Sequence, residues 1–334
     1  MEIGRLQECL RRLPRPEILL RPSLAREAKS TSALEGTYAP LQEIFEGDYL
    51  QLSQMSAAVR EIRNYMEAAH RGLELIKTKP IIINILSELQ GILVEGTRGG
   101  EINQGEVRTG PVIIGDESKP VNEARFIPPP AGDELSNALS DWEKWINAEN
   151  DLSPIIKMAL GHYQFETLHP FADGNGRVGR LVITLQFVEL FLLNPPLLNL
   201  SEWFNSDKDK YKDGLLALSQ NGNFDRWVSF FCEAIIGQVT IEINRIEKLL
   251  EFRDNLLIKL KLVKQRGMVL ELPELLIAHP VVSINKVAVD LGVTYRPARL
   301  VVLKLVSMGV LREITGRKYR KLYICTEVFN LLDL

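Results

Sequence analysis

The stretch HPFADGNGRVGR, His169 to Arg180, carries the decisive information in this chain. It lies between two helical runs and gathers a histidine, a carboxylate, a Gly-Asn-Gly turn and two arginines into one loop-to-helix junction. Gly174 and Gly176 permit positive φ and close approach of backbone N–H groups to an anion. A helix expected to start near Arg177 points its positive dipole end at the same place. Arg177 and Arg180 stand at i, i+3, so both guanidiniums can reach one polyphosphate. Asp173 offers a carboxylate to Mg²⁺, an ion that completes its octahedron with water and phosphate oxygens. His169, with an ordinary pKa of about 6.5, can take a proton from a nucleophile near neutrality. Singly, a GNG is a turn and a helix arginine a solvated side chain. Gathered, these groups describe a nucleotidyl-transfer site. His162, two helical turns earlier, reads as an ordinary helix histidine, and no role falls to it, to His70 or to His279.

Outward from the motif, helical texture prevails and the expected fold class is mainly α. Leu135, Leu139, Trp142, Trp145 and Ile146 share one face, and helical spacing resumes over Ile155–Leu168 and again from Val178. Residues 1–98 form an N-terminal helical region, with Ile44, Leu50, Met55, Val59, Ile62 and Met66 at helical spacing across Leu41 to Ile76. A core over 99–232 begins with a different texture. Gly105, Gly110 and Gly115 frame short β-branched runs, which predicts a β-hairpin over 105–115 ahead of Pro128–Pro130. Residues 233–267 predict a connecting helix stopped by Gly267. Over 268–334, two short helices split at LGVT, with Gly292 in the turn and Thr294 capping a helix over Tyr295 to Met308. A hairpin with Thr315 and Gly316 at its tip follows, which is the element order of a winged helix-turn-helix.

The 334 residues carry 40 basic and 43 acidic side chains, a net charge of −3 that by itself argues against a polyanion binder. The average hides a division. Ser283 to Cys325 holds nine basic and two acidic residues, +7, which leaves −10 elsewhere. Tyr295, Arg296 and Arg299 would open the recognition helix, and Arg317 and Lys318 would lie on the wing, so DNA is an open second partner. Winged helices also serve as protein-docking or dimer modules, which keeps a homodimer open. Cys9, Cys232 and Cys325 form no CxxC pair, so neither a disulfide framework nor a thiolate zinc site is expected and a reducing cytoplasm fits. The longest apolar stretch, Leu181 to Leu193, contains Gln186 and Glu189 and falls short of the roughly 18 apolar residues of a membrane span. The first residues lack the apolar segment of a signal peptide, so no membrane partner is expected.

HPFADGNGRVGR resembles the signature of Fic proteins, His-x-Phe-x-(Asp/Glu)-Gly-Asn-Gly-Arg-x-x-Arg, with every defined position filled. The similarity runs from about Leu24 to the C-terminus, RTGPVIIG resembling the family's flap. The resemblance implies a Fic helical bundle with a flap, and AMP transfer from ATP to a Ser, Thr or Tyr hydroxyl of a protein, this chain itself included. In that scheme His169 removes the hydroxyl proton and Asp173 binds Mg²⁺. Gly174, Asn175 and Gly176 cradle the α- and β-phosphates, and Arg177 and Arg180 bind phosphates, Arg180 nearest the γ-phosphate. The flap, with Val107, Val112, Ile113 and Ile114, would pair by its strand edge with the target. STSALEG, Ser30 to Gly36, resembles the family's inhibitory pattern, filled by Thr31, Glu35 and Gly36. It implies that Glu35 reaches Arg180 and takes the γ-phosphate's place. On the residues alone, these three read first as the capped end of a short helix. The same glutamate could instead position water for removal of AMP. Where Fic proteins often carry a Tyr-Tyr pair beside adenine, this chain has Lys210-Tyr211-Lys212; Tyr211 is either that contact or a helix-face aromatic.

Overall fold

The computed structural model describes residues 2–13, 15–97, 104–115 and 124–333. Its centre is a helix of 15 residues, Asn175–Glu189, buried on nearly every side from Val178 to Phe187. A helix apolar all round belongs inside a bundle. That placement accounts for the apolar stretch beginning at Leu181, and no helix of the described residues is long and apolar enough to cross a membrane.

In chain order the body begins with α1 (Glu2–Arg11), α2 (Leu20–Leu34), α3 (Leu41–Glu46), α4 (Ala57–Leu75) and α5 (Ile83–Val94). It continues with α6 (Asp133–Asn147), α7 (Pro154–Leu168) and the central α8, then α9 (Leu200–Ser206), α10 (Lys208–Asn221) and α11 (Phe224–Leu262). α4 shows why such segments become helices that pack. Ser56 caps it by accepting from Val59 N at 3.2 Å. Its buried Val59, Ile62, Tyr65, Ala69 and Gly72 then recur at the spacing of one helix face. Gly72 is the point of closest approach: a Cβ there would come within 3.1 Å of side-chain carbons of both Leu185 and Leu89.

The helical spacing over Leu41 to Ile76 is divided between α3 and α4. Asp48, in the break, is held by Arg21 and by Arg63, and Ser56 starts a new helix. The predicted hairpin also differs. Residues 104–113 form no strand; Arg108 N donates to Pro170 O at 2.9 Å, so this segment pairs with the loop beside the motif. The strand-like exchange falls at Ile114 and Phe126, which bond each other in both directions. The connecting helix ends at Leu262, short of Gly267, and both Lys264, with φ 58, and Gly267, with φ 65, take left-handed conformations after it.

The C-terminal module holds α12 (Leu272–Ala278), β1 (Val281–Ser283), α13 (Ile284–Asp290), α14 (Tyr295–Ser307), β2 (Arg312–Glu313), β3 (Leu322–Ile324) and α15 (Thr326–Leu332). The strands form one antiparallel sheet in the order β1-β3-β2, with Val282 opposite Tyr323 and Glu313 opposite the same tyrosine. This is a winged helix-turn-helix. Thr294 occupies the N-cap position of α14, yet its side chain makes no capping bond. The module is tied to the body: Tyr49 Oη donates to Val281 O at 2.9 Å, Arg15 Nε meets Glu274 at 2.8 Å, and Arg245 Nε reaches Leu331 O at 3.2 Å.

Candidate active site

α7 ends at Leu168, and His169 takes a left-handed conformation with φ 49. A non-glycine residue held there is uncommon and marks a constrained turn. Two contacts hold this one. His169 Nδ1 lies 3.3 Å from the carbonyl of Glu166, which can only accept, so the ring proton sits on Nδ1 and Nε2 keeps its lone pair. Arg108, buried, donates from Nε to the His169 carbonyl at 2.8 Å, and its Nη atoms reach the carbonyls of Gly110 and Pro129. It thereby clamps the flap to the end of α7, where a cation also suits the helix dipole. Burial pushes the His169 imidazole down to about 4, with the Glu166 carbonyl opposing, so the ring is neutral at physiological pH.

Beyond Phe171 the loop closes on itself. Phe171 N donates to Asn175 Oδ1 at 2.7 Å, and Asn175 Nδ2 returns to Phe171 O at 2.8 Å. The Asn175 side chain is therefore spent on the loop, leaving only its backbone for a ligand. Gly174 has φ 82 and is the N-cap of α8, which starts two residues earlier than expected. Gly176 is helical, and its need is space: a Cβ would fall 2.4 Å from Glu35 Oε1. The first-turn N–H groups of α8 have no partner within the helix, and Gly174, Asn175 and Gly176 line a cavity beside it.

The two arginines diverge. Arg177 Nη1 meets Glu61 at 2.5 Å and Nη2 lies 3.5 Å from Asp173. Arg180 turns to α2, donating from Nε to Thr31 Oγ1 at 2.6 Å and from Nη2 to Glu35 at 2.5 Å. Burial alone would lower Arg180; the charge of Glu35, with Tyr211 and Glu166, raises it instead. Burial raises Glu35, yet Arg180, together with Lys212 and Arg177, brings the carboxyl below its ordinary value. The Glu35 side chain remains 35 % exposed, so a competing anion has access.

Thr31, Glu35 and Gly36 also end α2 as the residues alone suggest. Gly36 has φ 90, Gly36 N donates to Ala33 O, and Thr37 N donates to Ser32 O, the paired bonds of a Schellman motif. The cap fixes where Glu35 stands, at the end of a helix of 15 residues.

Two cavities meet at Glu35, His169 and Gly176. One, of about 470 Å³, is lined by Pro111, Val112, Ile113, Asp173 and Gly174. The other, of about 270 Å³, is lined by Ile114, Phe126, Glu166, Tyr211, Lys212 and Leu216. Val107 packs on the core instead. Tyr211 is buried, stacks on Phe204 with ring centroids 4.5 Å apart, and bonds His162 Nε2 at 2.8 Å. His162 is thus a buried support of the pocket, with Glu166 one turn on at 3.9 Å. Sequence reasoning missed His162, Glu166, Arg108 and Glu61. The i, i+4 spacing of His162 and Glu166 was a usable signal, whereas Glu61 lies 116 residues before its arginine.

Asp173 Oδ1 accepts from Gly174 N at 2.6 Å, and the half-exposed side chain leaves its second oxygen without a protein partner among the described residues. No cluster of three or more metal-ligating side chains occurs among them. Tyr295, Arg296, Arg299, Arg317 and Lys318 all stand exposed on α14 and the wing, away from these cavities.

The Fic/DOC family matches residues 80–187, its N-terminal region matches 1–74, and an HTH DNA binding domain matches 270–321. The chain belongs to the Fic/DOC family. A probable protein adenylyltransferase of Aquifex aeolicus is 24% identical over 215 residues, 64% of this chain and 60% of that protein. The protein adenylyltransferase Fic of Drosophila mojavensis is 39% identical over 84 residues, 25% of this chain and 15% of that protein. The chain thus spans between 15% and 60% of the length of these relatives. A Fic family protein from Desulfovibrio desulfuricans shares the fold, with TM-score 0.60, 21% identity, and coverage of 97% of this chain and 93% of that one.

Proposed function

We propose that this chain transfers AMP from ATP to the hydroxyl of a protein side chain, and that Glu35 restrains it. The observation that carries the reading is the convergence of Arg180, Glu35 and Thr31 beside a neutral His169. His169 Nε2 would take the proton of the incoming hydroxyl as its oxygen bonds the α-phosphorus. The α–β bridging bond then breaks and pyrophosphate leaves. Donors fixed before the reaction, the α8 N–H groups and Arg180, would stabilise the charge on the phosphates. Asp173 fits Mg²⁺, which takes one carboxylate and otherwise water and phosphate oxygens; bound there it would offset phosphate charge. Arg177, paired with Glu61 and Asp173, would position that carboxylate and reach phosphate only by leaving Glu61. The flap edge at Val112 to Ile114 would hold the target's main chain across the cavity it lines.

With Glu35 on Arg180, the γ-phosphate lacks its arginine. Glu35→Gly should therefore show labelling of itself or of added proteins from α-labelled ATP, and adding His169→Ala should abolish it. Labelling that survives the loss of His169 would sink the mechanism. Removal of AMP by the same site, with Glu35 positioning water, would appear instead as release of AMP from a labelled protein by the unsubstituted chain.

A second reading concerns the C-terminal module. Its +7 charge and exposed Arg296 and Arg299, in a region matching an HTH DNA binding domain, favour duplex DNA as its ligand. A duplex shift that weakens steeply with salt would support it; no binding at low salt would remove it.

A further inference from the structure

Arg177 lies between two carboxylates. Its Nη1 donates to Glu61 Oε1 at 2.5 Å, and its Nη2 lies 3.5 Å from Asp173 Oδ1. The side chain is only 4 % exposed, and Nε is buried with no hydrogen-bond partner among the described residues. The two Nη atoms therefore carry its anchoring, and the shorter bond goes to Glu61. Glu61 is fixed in turn. The same Oε1 accepts from Thr37 Oγ1 at 3.0 Å, and Thr37 stands where the Schellman turn closes α2. Asp173 accepts at Oδ1 from Gly174 N and Arg177, and its half-exposed side chain lines the cavity of about 470 Å³.

Charge explains why one arginine has two acids. With Glu61 in place, two carboxylates face one guanidinium, and the excess negative charge suits a cation at Asp173. Without Glu61, a buried guanidinium would face Asp173 alone and draw that carboxylate to itself. A divalent ion would then compete with a like charge that burial leaves weakly screened. The groups behind a metal-binding carboxylate tune the metal as well as hold its ligand.

We infer that Glu61 is a positioning residue of the metal site: by answering Arg177 it leaves Asp173 free to hold Mg²⁺, while itself touching neither metal nor nucleotide. The inference rests on the AMP-transfer reading, in which Asp173 holds that ion. It also divides the labour of the two arginines, Arg180 serving phosphate and Arg177 the carboxylate.

The test uses the full chain carrying Glu35→Gly, which frees the site and removes an acid on which the Arg177 charge also acts. ATP binding is measured by calorimetry in Mg²⁺ and in EDTA, beside AMP transfer. Mg²⁺ should strengthen ATP binding by this parent. Glu61→Gln keeps an oxygen for Thr37 and Arg177 but loses the charge; it should shrink the Mg²⁺ gain roughly ten-fold, while binding in EDTA holds or tightens. In transfer assays the Mg²⁺ concentration for half-maximal rate should rise by a similar factor, and saturating Mg²⁺ should restore most of the rate. With Arg177→Met added, Glu61→Gln should have no further effect on the gain.

An equal gain in parent and Glu61→Gln, or a loss of the same size in EDTA, overturns the inference and leaves AMP transfer standing. A penalty that persists with Arg177→Met does the same. Should the Arg177→Met chain not fold, the two conditions on parent and Glu61→Gln decide it. A parent that binds Mg-ATP yet transfers no AMP overturns the transfer reading, and the Mg²⁺ gain still judges Glu61. A parent that binds no nucleotide overturns both.

Discussion

Arg180 and Arg299 each stand within the first two turns of a helix that follows a short turn, and their surroundings are opposite. Arg180 is buried and grips Thr31 and Glu35 from 149 and 145 residues upstream. Arg299 is exposed on α14, with exposed Arg296 and a 60 % exposed Leu300 as neighbours. A buried charge must be answered by the protein itself, so its partners reveal what it does. An exposed charge is answered by water, and only a ligand gives it a role.

The largest test of that contrast removes Arg180. Arg180→Ala would strand the buried Thr31 hydroxyl, at about 1–3 kcal/mol for a buried group left unpaired, while the 35 % exposed Glu35 would turn to water. A marked fall in thermal stability and loss of nucleotide binding are expected. A melt like that of the unsubstituted protein would mean that Arg180 is as free as Arg299. Next comes pH. In the Glu35→Gly background, AMP transfer should stay level from pH 8 down through 6 if the neutral ring is the base as proposed, since His169 gains its proton only near pH 4. Below that, activity should fall about ten-fold per unit. A rate profile with its inflection near 6.5 would show that burial does not act on His169.

Arg108→Ala sits between the extremes. It would strand the carbonyls of His169, Gly110 and Pro129, at about 1–3 kcal/mol for a buried group left unpaired. Amide exchange over 107–115 should quicken and transfer to protein targets should drop. Unchanged exchange would remove its role as the flap's clamp. The smallest effect on the fold belongs to Arg296→Ala with Arg299→Ala, expected to leave the melt and AMP transfer unaltered. If duplex DNA is the ligand, its binding should weaken, with the salt slope reduced by about 1 for each phosphate no longer neutralised. Impaired AMP transfer in this variant would show that the two regions are coupled.

Local chemistry made much of the body legible. The spacing of His169, Asp173, Gly174 and Arg180 reflects one turn entering one helix, and such a unit has the same meaning wherever it occurs. The helix–turn–helix and wing were legible for the same reason, since Gly292 in the turn and Gly316 at the hairpin tip act on their own neighbours. Long-range pairings were not. Glu61 on Arg177, Arg108 on the end of α7 and His162 on Tyr211 join residues whose spacing carries no period. The flap's strand exchange at Phe126 was hidden because a hairpin's partner is chosen by register across a loop, and Arg108 diverts the nearer segment to Pro170.

By itself the sequence determined the mainly helical fold, the motif's chemistry and the basic C-terminal module, because periodicity, turn residues and charge act over a few residues. Only the tertiary structure decided which arginine answers to which acid. Arg177 and Arg180 are three residues apart and look interchangeable in a string, yet the helix sends one to α4 and the other to α2. It also decided that Glu166 Oε1 is shut off from solvent without a hydrogen-bond partner among the described residues, a fact that exists only once Gly179 of α8 lies against α7.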